Sequence, residues 1–449
     1  MAEPPKAEPR DRFGGFPPIG FEPSGSFRLE KADRWWLVTP EGSAFLSFGI
    51  NHTEPLLLQQ AENREHWRKT FGLSAAARRE DWLPGFRAKV RKDMAAMGFN
   101  TLGCHCPADC FQEAPLPYIQ ALAFVEIAHS RVVPDENFVD VFSGEFEDRC
   151  DRIAREGAAA RRDDPYLIGY SLCDCPILTE AEAAAREVQV FGAPRAATST
   201  WPRVLRNLAG DAPGKSAYVE LMRRVYSDRI EEFNRTYRTF FASFGELQAA
   251  RNWRPAADGD NFDEDRDNRL FLERVIDRYY SLAAGSIRRH DPNHLILGDK
   301  INGNTNPPDW VIQRAGRHMD LVFYQCYGYY GEQRDAMDRW SAITGKPLFN
   351  GDSAFSVPSE HMPWPLGPHC RDQQDRACWG LDFAEQAFSR PDFVGWNHCG
   401  WMDGWKGIPG KEIRQHSGLQ DPFGRLHAPM VEAFSDFSRR MYAYASPRP

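Results

Sequence analysis

No apolar run in this chain approaches the roughly 20 residues that cross a bilayer, so no membrane partner is expected. No basic stripe offsets the net charge of -8, and nucleic acid is excluded as a partner on that ground. Residues 1–10 lack the apolar core of a secretory signal. The 10 cysteines are scattered, with no paired C-x-x-C and no disulfide rhythm. Together these absences predict a cytoplasmic protein with reduced thiols. No glycine-rich phosphate turn opens any apolar strand, which argues against a doubly wound nucleotide-binding sheet.

What is present is core. At 449 residues, 42% hydrophobic and 26% charged, the chain can hold two ordinary domains or one large α/β barrel. Residues 1–25, rich in Pro and Gly, read as an extended tail over the surface, and residues 26–449 as a single domain. Residues 27–31 and 34–38 alternate around a polar turn, which predicts a small β-hairpin. From there a unit repeats: apolar strand, polar terminus, loop, amphipathic helix. The strands fall at 45–52, 100–105, 118–126, 167–174, 294–300, 321–327, 347–352 and 393–398. Helical spacing marks 83–97, 145–160, 216–244 and 268–289. Eight strands interleaved with helices predict a (β/α)8 TIM barrel with long insertions after strands four and seven.

In such a barrel the chemistry sits at the C-terminal ends of the strands. Two carboxylates stand out at those ends, Asp174 after strand four and Asp352 after strand seven. Paired carboxylates suit glycoside cleavage, one to protonate the leaving oxygen and the other to act as nucleophile or activate water. Tyr327, Tyr329, Tyr330, Trp364, Trp396, Trp401 and Trp405 offer flat faces for pyranose rings. Asn51, His52, His105, Gln325, Asn397 and His398 offer hydrogen bonds to hydroxyls. Asp299 and Lys300 end strand five and join this substrate-binding set, with Glu126 near the end of strand three as a supporting group. Glu54 is the next carboxylate to test if Asp174 is silent. A different reading gathers Cys104, His105, Cys106, Cys110, Cys173, Cys175, His52 and His398 around a metal. Their spacing matches no zinc framework, and cysteine is a common small buried residue, so neither metal nor cofactor is expected.

Six stretches carry a resemblance, in order along the chain. They are FRLEKADRWWLVTPEGSAFLSFGINH (27–52), MGFNTLG (97–103), DPYLIGYSLCDCP (164–176), DPNHLILGDK (291–300), KPLFNGDSAF (346–355) and VGWNHCGWMD (394–403). The chain resembles the β-agarase-like glycoside hydrolases, a branch of the clan of retaining barrel enzymes. The resemblance implies catalytic acids on strands four and seven. It places an Asn-Glu pair at the end of strand four, with Glu as acid/base; here Asp174 occupies the Asn place and Cys175 the Glu place. The strand-seven nucleophile, a Glu in the family, is Asp352. The expectation is a glycoside hydrolase acting on a small oligosaccharide or glycoside, with Asp174 as acid/base, Asp352 as nucleophile and retention of configuration. The alternatives are an inverting enzyme with Asp352 as general base, one aspartate working with His52 or His398, or a non-catalytic carbohydrate-binding barrel.

Overall fold

A computed structural model describes residues 9–107, 115–129, 133–184, 199–254, 262–404 and 415–445. Eight short strands close into a parallel barrel: β5 (Ser47–Ile50), β6 (Thr101–Leu102), β7 (Tyr118–Ala121), β8 (Leu167–Asp174), β9 (Leu295–Asn302), β10 (Val322–Gln325), β11 (Leu348–Ser353) and β12 (Phe393–His398). Each pairs with its sequence neighbour, and β12 returns to β5 with Gly395 opposite Ser47 and His398 opposite Ile50. The expected barrel is the one observed, strand for strand. Ile119, Ile168, Leu295, Leu297, Phe323, Phe349 and Val394 form one apolar cluster inside it. A second, larger cluster lies between the strands and the surrounding helices.

The N-terminal residues differ from the expected tail. β1 (Phe16–Gly20), β2 (Arg28–Lys31), β3 (Trp35–Val38) and β4 (Ser43–Phe45) make a four-stranded antiparallel sheet in the order β1-β4-β3-β2. The predicted hairpin is its β2–β3 half. Phe13, Phe27, Leu37 and Phe45 belong to the same apolar cluster as the barrel interior, so this sheet stoppers one end of the barrel. Phe13, inside the expected tail, is therefore a core residue like Phe27, because burying such a ring stabilises by about 1.5–3 kcal/mol.

The helices follow their predicted positions with one break. The stretch expected as a single helix over 216–244 is two, Pro213–Val225 and Ile230–Tyr237. Ser227 and Asp228 between them have φ of 52° and 57°, a left-handed conformation that no right-handed helix continues through. The long Phe262–His290 helix packs beside β9 and supplies two tyrosines, Tyr279 and Tyr280, to the back of the strand ends.

Candidate active site

Asp174 is the last residue of β8, and Lys300 of β9 stands opposite it in the ladder. Asp352 lies on β11, paired with Gln325 of β10. Asn51 and His52 follow the end of β5, and His105 lies just beyond β6. Parallel strands in a closed barrel bring all these termini to one mouth.

Lys300 is the centre of the group, with a side chain only 1% exposed. Its ammonium donates to Asp352 Oδ2 at 2.9 Å and to His105 Nε2 at 2.5 Å, and it forms an ion pair with Asp174 Oδ1 at 2.9 Å. Asn51 Nδ2 donates to Asp352 Oδ1 at 2.7 Å and to the Gly351 carbonyl at 2.8 Å, so both oxygens of Asp352 are engaged. His105 Nε2 stands 3.7 Å from each carboxylate.

The electrostatics follow from burial and charge together. Burial alone raises the Asp352 pKa, but the Lys300 ammonium and the imidazoles of His105 and His52 overcome it and hold the group far below the usual carboxylate range. Asp174 behaves alike: burial raises it, Lys300 and His105 lower it, and it settles at about 2. Lys300 loses by burial and gains more from the two aspartates, so it stays charged. His105 is pushed down to about 4 by burial and by Lys300, which leaves it neutral and accepting the lysine proton at Nε2. At neutral pH the group around Lys300 holds two carboxylates, one ammonium and the neutral imidazole of His105.

Local backbone makes room for this group. His52 and Cys175, the residues just past two of the strand ends, have φ of 56° and 49°, a region non-glycine residues seldom enter. Such conformations cost on the order of 1–3 kcal/mol each and concentrate at functional sites. A Cβ on Gly103 would stand 2.0 Å from Asn51 Oδ1 and 2.8 Å from Asn397 Nδ2, so only glycine lets both amides occupy the floor of the mouth.

Not every expected site residue is there. The structure brings together Asp174, Asp352, Asn51, His52, His105, Lys300 and Asn397. Tyr327 lies beside them, packed with Ala354, Leu366 and Cys399, and Gln325 is buried level with Asp352. Four others require correction. Asp299 points out of the barrel, accepting from Tyr279 Oη at 2.9 Å, Tyr280 Oη at 2.8 Å and the Cys173 amide at 2.9 Å. Burial in that outer layer raises its pKa to about 6 against those donors. Trp396 is fully buried between Phe48, Phe383 and Phe434, with its indole N–H on Ser353 Oγ, and cannot stack on a sugar. His398 packs on Phe434 in the same layer. Trp401 is buried against Phe86 and donates to Asp93 at 2.8 Å. For Asp299, Trp396 and His398 the physical reason is strand alternation, since neighbours of an inward residue point outward, whereas Trp401 lies beyond the end of β12 and is held by its own packing.

Among the outlying candidates, Tyr329 caps a helix and packs on Trp379, whereas Trp364 is 62% exposed, with its backbone N–H on Gln415 Oε1. Glu54 accepts from His52 Nδ1 at 3.3 Å, and Glu126 is exposed away from the cluster. Trp405 and Cys110 lie outside the described residues. Of the eight residues named for a metal, no three converge among the described residues. Sequence reasoning missed Cys399 and His416. Cys399 directly follows a predicted strand end, which was a usable signal; His416 sits in a segment with no periodicity.

With the geometry described, comparison with known proteins places the barrel. No family model matches the chain. It is similar to beta-agarase B of Vibrio sp. (strain JT0107), at 21% identity over 93% of this chain and 48% of that protein. A solved exo-beta-agarase superposes with a TM-score of 0.78 at 18% identity, covering 98% of this chain and 69% of the other. The agarase AgWH50C gives 0.76 at 20% identity, covering 97% and 68%. The chain shares its barrel fold with these agarases. It spans about half the length of the curated relative, and the likeness to the solved agarases extends over nearly every residue of this chain.

Proposed function

We propose that this chain hydrolyses O-glycosidic bonds in short saccharides of the kind agarases cut. The observation that carries the reading is the pair of carboxylates, Asp174 on β8 and Asp352 on β11, held around one ammonium in an agarase-like barrel. Asp352, ionised at neutral pH and oriented by Asn51, attacks the anomeric carbon as the bond to the leaving oxygen breaks. Asp174 gives that oxygen a proton, then takes one from the water that releases the sugar. Each carboxylate has an oxygen 2.9 Å from Lys300 Nζ, so those oxygens lie no further apart than twice that distance. That supports retention, since inverting enzymes space their acids about 6.5–9.5 Å apart.

The low pKa of Asp174 has a consequence for rate. A donor at about 2 is almost wholly ionised at neutral pH, so proton donation to a poor leaving group is slow. Activated aryl glycosides, whose leaving groups need no proton, are the better substrates. A second reading, a carbohydrate-binding barrel without catalysis, is favoured by the same Lys300 clasp, which occupies both carboxylates. Incubation with agarose oligosaccharides and aryl glycosides, followed by NMR of the first-formed anomer, separates the two. Calorimetric binding with no product would establish the second reading, and initial release of the opposite anomer would recast Asp352 as a general base. A cytoplasmic location, tested by cell fractionation, accompanies the short-substrate reading.

A further inference from the structure

The imidazole of His52 stacks on His105 at 4.8 Å and on His416 at 3.8 Å, so it sits between the two rings. On the His105 side, the cation position is filled by Lys300, whose ammonium bonds His105 and Asp352. The His416 side is chemically different. There Cys399 Sγ lies 2.9 Å from His416 Nδ1, and ligand atoms from His52, Cys399 and His416 all fall within 4.8 Å of one another.

We propose that His52, Cys399 and His416 form a binding site for a borderline-soft divalent metal of the zinc type. Zinc holds imidazole nitrogen at about 2.0–2.1 Å and thiolate sulfur at about 2.3 Å. Tetrahedral ligands at those lengths stand roughly 3.5 Å from one another, so donors within 4.8 Å are close enough to share one ion once an imidazole of the His52–His416 stack rotates to aim its nitrogen at it. Two nitrogens and a sulfur are a donor set that selects such metals over magnesium or calcium. The surroundings carry the second half of the argument. Glu54 Oε1 accepts from His52 Nδ1 at 3.3 Å, the carboxylate–histidine support that orients ligating imidazoles. The opposite nitrogen, His52 Nε2, is buried with no hydrogen-bond partner among the described residues, a state that costs about 1–3 kcal/mol unless something binds it. The left-handed backbone of His52 turns this ring toward the end of β12, the strand paired with β5 and followed directly by Cys399.

Binding forms a metal–sulfur bond, breaks the S–H bond of Cys399 and releases that proton to solvent. The ion ties the 415–420 segment to the ends of β5 and β12, and three protein ligands leave a fourth position open at the rim. The site does not depend on glycoside hydrolysis, and a chain without that activity would carry it equally.

The test uses the full chain, loaded with zinc or cobalt alone and freed of excess. Elemental analysis is expected to give one zinc per chain, and cobalt a near-ultraviolet thiolate charge-transfer band. Cys399→Ser should abolish the band, and His416→Gln should weaken metal retention, both with a native circular dichroism spectrum. Should either variant misfold, alkylation of the wild-type chain decides: zinc should slow iodoacetamide modification of Cys399, read by peptide mass spectrometry, at least tenfold. No bound metal, a cobalt band that survives in Cys399→Ser, or equal alkylation with and without zinc would overturn the proposal. Equal alkylation together with thiol-dependent turnover would identify Cys399 and His416 as a nucleophilic pair instead.

Discussion

Replacing Lys300 by methionine is the most informative single change, because one ammonium neutralises two carboxylates. The substitution keeps the length and apolar stem of the side chain while removing the charge 2.9 Å from both Asp174 and Asp352. Removing one partner from a buried ion pair typically costs about 3–5 kcal/mol. Asp352 is nearly inaccessible, but Asp174 is 36% exposed and water screens part of its loss, so the lower end, about 3 kcal/mol at pH 7, is expected. The sign with pH is specific. In the native chain both aspartates are held below their unfolded pKa values, so they stabilise the fold at neutral pH and lose that contribution only in strong acid. Without Lys300 burial dominates, and two facing carboxylates share a proton. Their pKa values then rise above the unfolded value, and the variant regains stability as pH falls from 7 toward 4. Urea unfolding of both proteins at pH 7 and pH 4.5 measures this. A deficit below about 1 kcal/mol at pH 7, or one equally large at both pH values, would refute the account of the cluster.

Asp352→Asn and Asp174→Asn should each retain a native circular dichroism spectrum while slowing saccharide hydrolysis by about 10²-fold or more; near-normal turnover in either removes that residue from the mechanism. The pH–rate profile for a poor leaving group should climb about tenfold per unit as pH falls toward the Asp174 value near 2, within the range where the protein stays folded, whereas an activated aryl glycoside should show no such climb. Trp364→Ala, at an exposed position, should raise KM without moving the melting temperature, whereas Trp396→Ala should destabilise by about 3–5 kcal/mol. Asp299 has a folded pKa of about 6, above the unfolded value, so its contribution is present below about pH 4 and lost as pH rises through 6, roughly 3 kcal/mol in all. Asp299→Asn should flatten that part of the stability–pH curve, measured by urea unfolding between pH 4 and 7.

The eight barrel strands were legible in the sequence because each is a local event: a short apolar run, a polar end and a turn, repeated between helical spacings. The positions of Asp174 and Asp352 at strand ends were legible for the same reason. What each end residue faces was decided only by tertiary structure. The β8–β9 pairing shifts register between Tyr170 and Ser171 and again before Asp174, so counting alternate residues from the strand start does not tell which side chains enter the mouth. Adjacent residues part company there, Lys300 inward to the carboxylates and Asp299 outward to two tyrosines, Asn397 inward and Trp396 outward to phenylalanines. The lysine that joins two aspartates, and His416 stacked on His52, are contacts between segments far apart in the chain. They exist because barrel closure brings distant strand ends to one rim, and closure depends on the packing of the whole chain, which no local pattern records.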